Sequence, residues 1–362
     1  MTAATASPAA AGSAPGVFGR MAAQGHEDVH FVSDPASGYR GIIAIHDTRL
    51  GPSLGGTRLW AYESEEAALT DALRLAAGMT YKSAAAGMPF GGGKSVVIAD
   101  ASRIDRPALF RAHGRAVEHL GGRYITSVDI GTGPDDMVHV RRETRHVAGL
   151  PEPFGDPSPA TARGVHRAIL GAVKHLRGSD DLAGRTVAIQ GCGHVGYHLA
   201  RLLRDSGARI VASDTVAERA QRVAREFGAQ LVAPTEILSA AVDVLAPCAF
   251  GAVLSATTIP QLRCSVVAGA ANNQLQRDSD GALLEQHGIA YAPDFIANAG
   301  GVVYLGQEVL GWSADRTLAN VDRIYDTVQE TFALAAEQRI PTSQAALRIA
   351  ERRLESAGAA PS

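Results

Sequence analysis

Lys82 and Lys94 stand in the run Gly78-Met79-Thr80-Tyr81-Lys82-Ser83-Ala84-Ala85-Ala86-Gly87-Met88-Pro89-Phe90-Gly91-Gly92-Gly93-Lys94, which contains no carboxylate. Surface lysines usually keep polar neighbours, but Lys94 follows three glycines and precedes Val96-Val97-Ile98. Burial disfavours an ammonium, more so beside a second cation, and lowers its pKa toward the range where lysine acts as a base. A glycine hinge with two solvated lysines is the bland alternative, sufficient for one such lysine; the pair points to chemistry. A third group, Asp129, follows a strand expected over 124–128 and opens the loop Asp129-Ile130-Gly131-Thr132-Gly133-Pro134. Open α/β sheets carry reacting groups at such an edge. Helix capping is the alternative role, for which Asp135 and Asp136 are better placed.

These groups need a scaffold. Residues 29–32 and 41–45 read as strands separated by turn residues, and Gly51-Pro52-Ser53-Leu54-Gly55-Gly56-Thr57-Arg58 as a glycine-rich bend. Ser64, Glu65 and Glu66 mark a helix start, and Ala68, Leu69, Ala72, Leu73, Leu75 and Ala76 give an apolar stripe at helical period toward about residue 85, placing Lys82 in the last turns. A strand (95–99), a helix (106–120), the 124–128 strand and a helix from 135 to about 147 follow. The proline-rich run 150–159 reads as a linker, and the helix after it, 160–176, carries Thr161 near its start, free to point a hydroxyl between domains.

Beyond the linker, Thr186-Val187-Ala188-Ile189-Gln190 runs into Gly191-Cys192-Gly193-His194-Val195-Gly196, then into a helix and a second strand ending at Asp214. A lone Gly-x-Gly-x-x-Gly is weak, but strand before and helix after make it a dinucleotide fingerprint. Asp214 would bond the adenosine ribose hydroxyls and repel a 2′-phosphate, which favours NAD over NADP. Strands at 230–233, 242–246, 265–268 and 290–292, with helices between, complete a doubly wound sheet. Ala246-Pro247-Cys248-Ala249 and Gly269-Ala270-Ala271-Asn272-Asn273 follow strands directly, at the cofactor edge. Cys248 has no partner base nearby in sequence and is expected in core or adenine-side packing. Asn272 and Asn273 are turn formers or, at that edge, contacts to nicotinamide or substrate. A long helix over 315–338 and another over 343–354 are expected to return to the first domain.

The 362 residues suit two domains: 17–150 with 330–362 for catalysis and oligomerisation, 151–329 for the dinucleotide, and a disordered tail at 1–16. A net charge of −3 and no basic stripe exclude a nucleic-acid reader, and no apolar run reaches membrane-spanning length. The tail lacks the pattern of a signal peptide, so a cytoplasmic location is expected. The three cysteines, Cys192, Cys248 and Cys264, have no metal-ligand spacing, and no metal is expected.

With these pieces in place, the chain resembles the glutamate/leucine/phenylalanine/valine dehydrogenase family. The resemblance is carried by the 51–58 run, Gly78-Met79-Thr80-Tyr81-Lys82, Gly91-Gly92-Gly93-Lys94, Asp129-Ile130-Gly131-Thr132, Asp136-Met137 and the fingerprint. Ala246-Pro247-Cys248-Ala249, Ala271-Asn272-Asn273, Tyr291-Ala292-Pro293-Asp294 and Asn298-Ala299-Gly300-Gly301 extend it. It implies NAD-dependent, reversible oxidative deamination of an L-amino acid to a 2-oxo acid and ammonia, in a homo-oligomer. It makes Lys82 the anchor of the substrate carboxylate, Lys94 the base that activates water, and Asp129 the group that moves protons at the carbinolamine stage. Asn272 and the Gly55 backbone would complete the grip, with Thr161, Asn273 and Asn298 on the cofactor side. The glycines before Lys94 then read as room for the substrate.

The positions that would meet a glutamate side-chain carboxylate are Leu54 and Leu305, both apolar, so glutamate is disfavoured. Met79, Val302 and Leu305 would line a pocket for leucine, isoleucine or valine. Ala148 and Leu305 depart from leucine-type enzymes, and Glu308-Val309-Leu310-Gly311-Trp312-Ser313 looks more like phenylalanine dehydrogenases, so an aromatic substrate is the close alternative. A catalytically retired NAD-binding sensor is the alternative from another class. A 2-hydroxy acid dehydrogenase would need a histidine acid–base, and none of the twelve histidines has a matching context.

Overall fold

A computed structural model describes residues 16–249 and 251–358. Of the tail expected at 1–16, residues 1–15 lie outside these described residues. A short helix, α1 (Val17–Gln24), leads into β1 (Asp28–Asp34), β2 (Tyr39–Asp47) and β3 (Ser53–Trp60). The helix α2 (Glu65–Ala85), then β4 (Gly91–Ile98), α3 (Arg106–Glu118), β5 (Tyr124–Val128) and α4 (Pro134–Arg141) complete the first unit. Its sheet has the order β1-β2-β4-β3-β5; β1, β2 and β4 pair antiparallel, and β4, β3 and β5 pair parallel.

Two expectations change here. The 51–58 run is not a bend but enters a central strand, β3, and the three glycines before Lys94 lie inside β4. Glycine is a poor strand former taken alone, but here neighbouring backbone leaves no volume for side chains. A Cβ on Gly55 would sit 1.7 Å from the Gly93 carbonyl oxygen, one on Gly91 2.0 Å from that of Asp47, and one on Gly92 2.1 Å from the Thr80 nitrogen. The glycines are therefore contact surface rather than open room. Gly92 in particular lets α2 lie directly on β4 just before Lys82.

Strand alternation then sorts the faces. Val96 and Ile98, on the side of Lys94, pack with Ala68, Leu69, Ala72, Leu73 and Ala76 of α2. Val97 and Leu59, on the side of Ser95 and Thr57, pack with Leu109, Phe110 and Val117 of α3 and Met137 and Val140 of α4. Ser64 caps α2 by accepting from the Ala67 N–H at 3.0 Å. Asp136 Oδ2 accepts the Gly133 N–H at 2.8 Å, so it caps α4, as expected, and Asp129 does not. The helix α4 ends at Arg141, short of the expected 147.

The chain crosses at 150–157 into α5 (Ser158–Arg177), β6 (Thr186–Gln190), α6 (His194–Asp205), β7 (Arg209–Ser213), α7 (Ala217–Phe227), β8 (Gln230–Leu231), β9 (Val244–Pro247) and β10 (Val266–Val267). After α8 (Asp280–Gln286) comes β11 (Ala290–Tyr291). The sheet β11-β10-β9-β6-β7-β8 is parallel throughout and doubly wound, with its strand order reversing between β6 and β9. Single helical turns at 237–239 and 259–261 stand where helices were expected between β8, β9 and β10.

The return begins with α9 (Asp294–Ala297) and α10 (Gly300–Leu310). The helix expected over 315–338 is two, α11 (Ala314–Asp322) and α12 (Ile324–Gln338), divided at Arg323. Asp322 closes α11 facing α5, where Arg163 and Arg167 bind its carboxylate at 2.6–2.8 Å. The final described helix, α13 (Thr342–Gly358), packs on α2. Its Arg353 donates to the carbonyls of Ala84 and Ala85, at the end of the helix that carries Lys82. No helix among the described residues is long and apolar enough to cross a membrane.

Candidate active site

Lys94 is 4% exposed on β4, and its Nζ lies 2.9 Å from Asp129 Oδ2. Burial lowers the lysine's pKa against the pull of Asp129. Burial also pushes Asp129 upward, but Lys94 and Arg58 outweigh it and hold the carboxyl below its ordinary value. Arg58 is a residue that sequence reasoning left without a role. Its Nε reaches the same Asp129 Oδ2 at 2.9 Å, and its Nη1 reaches Asp71 Oδ2 at 2.8 Å. Alternation along β3 could have placed Arg58 on the Lys94 face; nothing in sequence pairs it with Asp71.

Lys82, in the last turn of α2, is half-buried, and loss of hydration lowers it to about 8, with Asp294 opposing and Lys94 adding to the shift. Its Nζ donates to Asn272 Oδ1 at 3.1 Å across the two domains, and Asn298 Nδ2 donates to the same oxygen at 2.8 Å. Lys82, Asn272 and Asn298 are thus brought together. Asp294, also without a role in the sequence reading, is half-buried near Lys82, and loss of hydration raises its pKa against the pull of that lysine. The backbone N–H groups of Gln274 and Phe295 hold its carboxylate at 2.8 and 2.7 Å.

Leu54, Ala148 and Val302 belong to one apolar cluster that spans both domains, with Met79 and Leu305 packed against it. Of the Gly55 backbone, expected to help grip the substrate, the carbonyl accepts from the Tyr124 hydroxyl at 2.7 Å. On the face away from Lys94, Thr57 Oγ1 meets Ser95 Oγ at 2.7 Å, His113 Nε2 at 2.8 Å and Thr126 Oγ1 at 2.5 Å. Tyr39 meets His113 Nδ1 at 2.9 Å, and burial lowers this imidazole to about 3. The residues next to Arg58 and Lys94 are thereby tied to one another beneath the site.

The fingerprint can be tested against a dinucleotide on its own sterics. Gly191 has φ +99°, and a Cβ on Gly196 would sit 2.0 Å from the Gly191 carbonyl oxygen, so the protein itself demands both. A Cβ on Gly193 meets nothing within 4 Å, and its φ is an ordinary −66°. No protein atom therefore requires a glycine there, and the position stands at the N-terminus of α6, a place where helices favour anions. Asp214 Oδ2 accepts the Cys192 N–H and Oδ1 the Val216 N–H, each at 2.7 Å, so this acid fixes the glycine turn.

Ala246 and Pro247 end β9, and the Cys248 N–H donates to the Gln190 carbonyl at 2.7 Å, across the reversal point of the sheet. Burial raises the Cys248 thiol to about 12, which suits packing rather than nucleophilic work. Asn273 takes a left-handed φ of 52°. Among the described residues Asn298 Oδ1, Gln190 Oε1 and Ser213 Oγ are buried without partners, so a polar ligand fits the crevice. The Thr161 hydroxyl, expected free, donates to the Pro157 carbonyl at 3.2 Å and lies against Gly301. Among the described residues no His, Cys, Asp or Glu group could hold a metal ion.

The helix α10 also spans the crossing. Glu308 accepts the N–H groups of Gly149 and Leu150 at 2.7 and 3.3 Å, and the Tyr304 hydroxyl donates to the Phe154 carbonyl. The wall that carries Val302 and Leu305 is therefore fastened to the linker.

Residues 26–146 match the family described as Glu/Leu/Phe/Val dehydrogenase, dimerisation domain, and residues 156–218 and 214–360 match Glutamate/Leucine/Phenylalanine/Valine dehydrogenase. The chain is 48% identical to a leucine dehydrogenase from Geobacillus stearothermophilus over 342 residues, 94% of this chain and 93% of the relative. The crystal structure of L-tryptophan dehydrogenase from Nostoc punctiforme superposes with a TM-score of 0.85 at 43% identity, covering 94% of this chain and 99% of that one. Glutamate dehydrogenase from Peptoniphilus asaccharolyticus shares the fold, with a TM-score of 0.73 at 20% identity, covering 95% of this chain and 94% of that one. With both halves matched in order and nearly the whole chain covered, the protein is an amino acid dehydrogenase that belongs to the glutamate/leucine/phenylalanine/valine dehydrogenase family.

Proposed function

We propose that the protein catalyses reversible, NAD-dependent oxidative deamination of a hydrophobic L-amino acid, leucine first among leucine, isoleucine and valine. The observation that carries this reading is the buried Lys94–Asp129 pair beside Lys82, facing a domain with a glycine turn shaped for a dinucleotide. Lys82, backed by Asn272, takes the substrate carboxylate. The nicotinamide supplies the acceptor for the hydride that leaves Cα. Lys94, neutral at alkaline pH, removes a proton from water as its oxygen adds to the resulting iminium carbon. Asp129 then carries a proton from the carbinolamine hydroxyl to its nitrogen, ammonia departs, and the 2-oxo acid remains. Asp214 supports NAD over NADP, since a second negative charge at the ribose would meet its carboxylate.

Leu54, Met79, Val302 and Leu305 support an aliphatic side chain, as does the 48% identity to a leucine dehydrogenase. The aromatic alternative keeps support from a phenylalanine dehydrogenase of Bacillus thermotolerans, 44% identical, and from the tryptophan enzyme. We read residues 17–150 with 330–362 as the catalytic domain and 151–329 as the cofactor domain. A homo-oligomer through the first is supported by its matched dimerisation domain and by the exposed Phe31 on edge strand β1. The test is ammonia-dependent reduction of 4-methyl-2-oxopentanoate and of phenylpyruvate, with NADH and with NADPH. Faster turnover of the aliphatic acid with NADH is expected; preference for phenylpyruvate moves the reading to the aromatic substrate, and no turnover of either removes it.

A further inference from the structure

We infer that Arg58 is a positioning residue for the reaction: it fixes which oxygen of Asp129 is presented to the substrate and holds a second positive charge against Lys94. The inference rests on the roles proposed above for Lys94 and Asp129. Both cations bind the same atom, Lys94 Nζ and Arg58 Nε each standing 2.9 Å from Asp129 Oδ2. Among the described residues Oδ1 has no hydrogen-bond partner. A carboxylate tied by one oxygen to two cations on two strands cannot turn without breaking both contacts, so Oδ1 is left as the proton-carrying atom.

Arg58 is itself held from behind. Its Nη1 binds Asp71 Oδ2 on α2 at 2.8 Å, and Asp71 is held in turn by the Tyr62 hydroxyl at 2.7 Å and by Arg74 at 2.9 Å. Only 17% of the Arg58 side chain is exposed, so water screens its charge little. A guanidinium spans two carboxylates at once through separate nitrogens; an ammonium on a flexible stem does not reproduce that fork. The helix at the far end of the span also carries Met79 and Lys82, so one chain of contacts references the proton carrier to the substrate anchor.

The charge matters separately from the geometry. The groups that face Lys94 are Asp129 from the β5 loop, Arg58 from β3, and Asp71 and Lys82 from α2. Asp129 and Asp71 favour the ammonium form, whereas Arg58 and Lys82 disfavour it, so Arg58 keeps the base available despite its carboxylate partner. A strut that merely tied β3 to α2 would have no such effect.

Arg58→Met and Arg58→Lys distinguish the two roles. For Arg58→Met, the ascending limb of the kcat/KM profile for amino acid oxidation should move up by about one pH unit. The half-point of Lys94 acetylation by acetic anhydride, followed by peptide mass spectrometry, should move with it. Arg58→Lys should keep both near wild type yet lose about tenfold or more in kcat, with KM for the amino acid changed much less. A limb and a labelling midpoint unmoved in Arg58→Met, with rate lost equally at every pH, overturn the charge role. Wild-type kcat in Arg58→Lys overturns the positioning role, and this variant decides alone should Arg58→Met fail to fold. If the wild type oxidises no hydrophobic amino acid, the functional reading fails instead, while the labelling midpoints still report whether Arg58 sets the Lys94 titration.

Discussion

Lys82 and Asn272 join the two domains through a single hydrogen bond, Nζ to Oδ1 at 3.1 Å. Asn298 Nδ2 donates to the same oxygen at 2.8 Å, so the lysine on α2 is held against two asparagines of the second domain.

Because Lys82 sits at about 8, its charge is present below that pH and lost above it. Inhibition by 4-methylpentanoate, which has the carboxylate and no amine, should weaken about tenfold per pH unit well above 8. Lys82→Arg, which stays charged, should flatten that dependence. Inhibition constants measured from pH 7 to 10 decide it; an unchanged slope in Lys82→Arg assigns the carboxylate to another group.

Lys94→Ala should reduce kcat by roughly three orders of magnitude, in the range of general base catalysis. NAD affinity, read by fluorescence titration, should stay within about threefold of wild type, since Lys94 lies on β4 and the fingerprint on β6 and α6. Loss of cofactor affinity equal to the loss of rate contradicts the assigned role.

Gly193 and Gly196 should part company. Gly193→Ala adds a methyl that meets no protein atom within 4 Å, so its thermal midpoint should stay near wild type while KM for NAD rises about tenfold or more. Gly196→Ala drives a carbon to 2.0 Å from the Gly191 carbonyl oxygen and should cost roughly 1–3 kcal/mol of stability. Calorimetry with and without NAD separates the two.

His113 links folding to acidity. Its imidazole falls from 6.5 to about 3 on burial, so between those values the unfolded chain binds the extra proton. Its contribution to stability is complete above pH 6.5 and declines as pH falls toward 3, by roughly 2 kcal/mol between pH 6.5 and 5. His166, lowered to about 4, adds to the same slope. Urea denaturation at pH 5, 6 and 7 should show a shallower dependence in His113→Asn than in wild type.

The two lysines, Asp129 and the fingerprint were legible in the sequence because their chemistry is local. A lysine without carboxylate neighbours and a Gly-x-Gly-x-x-Gly between strand and helix carry their own context. What was not legible depends on partners far along the chain. Gly55, Gly91 and Gly92 looked like bends or spare room because glycine disfavours strands in isolation; only the approach of the Gly93, Asp47 and Thr80 backbones explains them. Arg58 stayed silent because Asp71 and Asp129 reach it from a helix and a loop that no short motif connects. The break at Arg323 was hidden for the same reason, Asp322 being drawn to Arg163 and Arg167 on another helix.

The grip of Arg353 on the end of α2 also has a bearing on synthesis. Ala84 leaves the ribosome 269 residues before the guanidinium that caps it. At the several residues per second of translation, that is an interval of roughly tens of seconds. Throughout it the first sheet can form while the Ala85 carbonyl still lacks the Arg353 guanidinium, the carbonyls of Lys82, Ser83 and Ala84 being taken by the local N–H groups of Ala86, Met88 and Gly87. The nascent chain thus carries its doubly wound sheet before the end of α2 is braced, and the brace comes with α13.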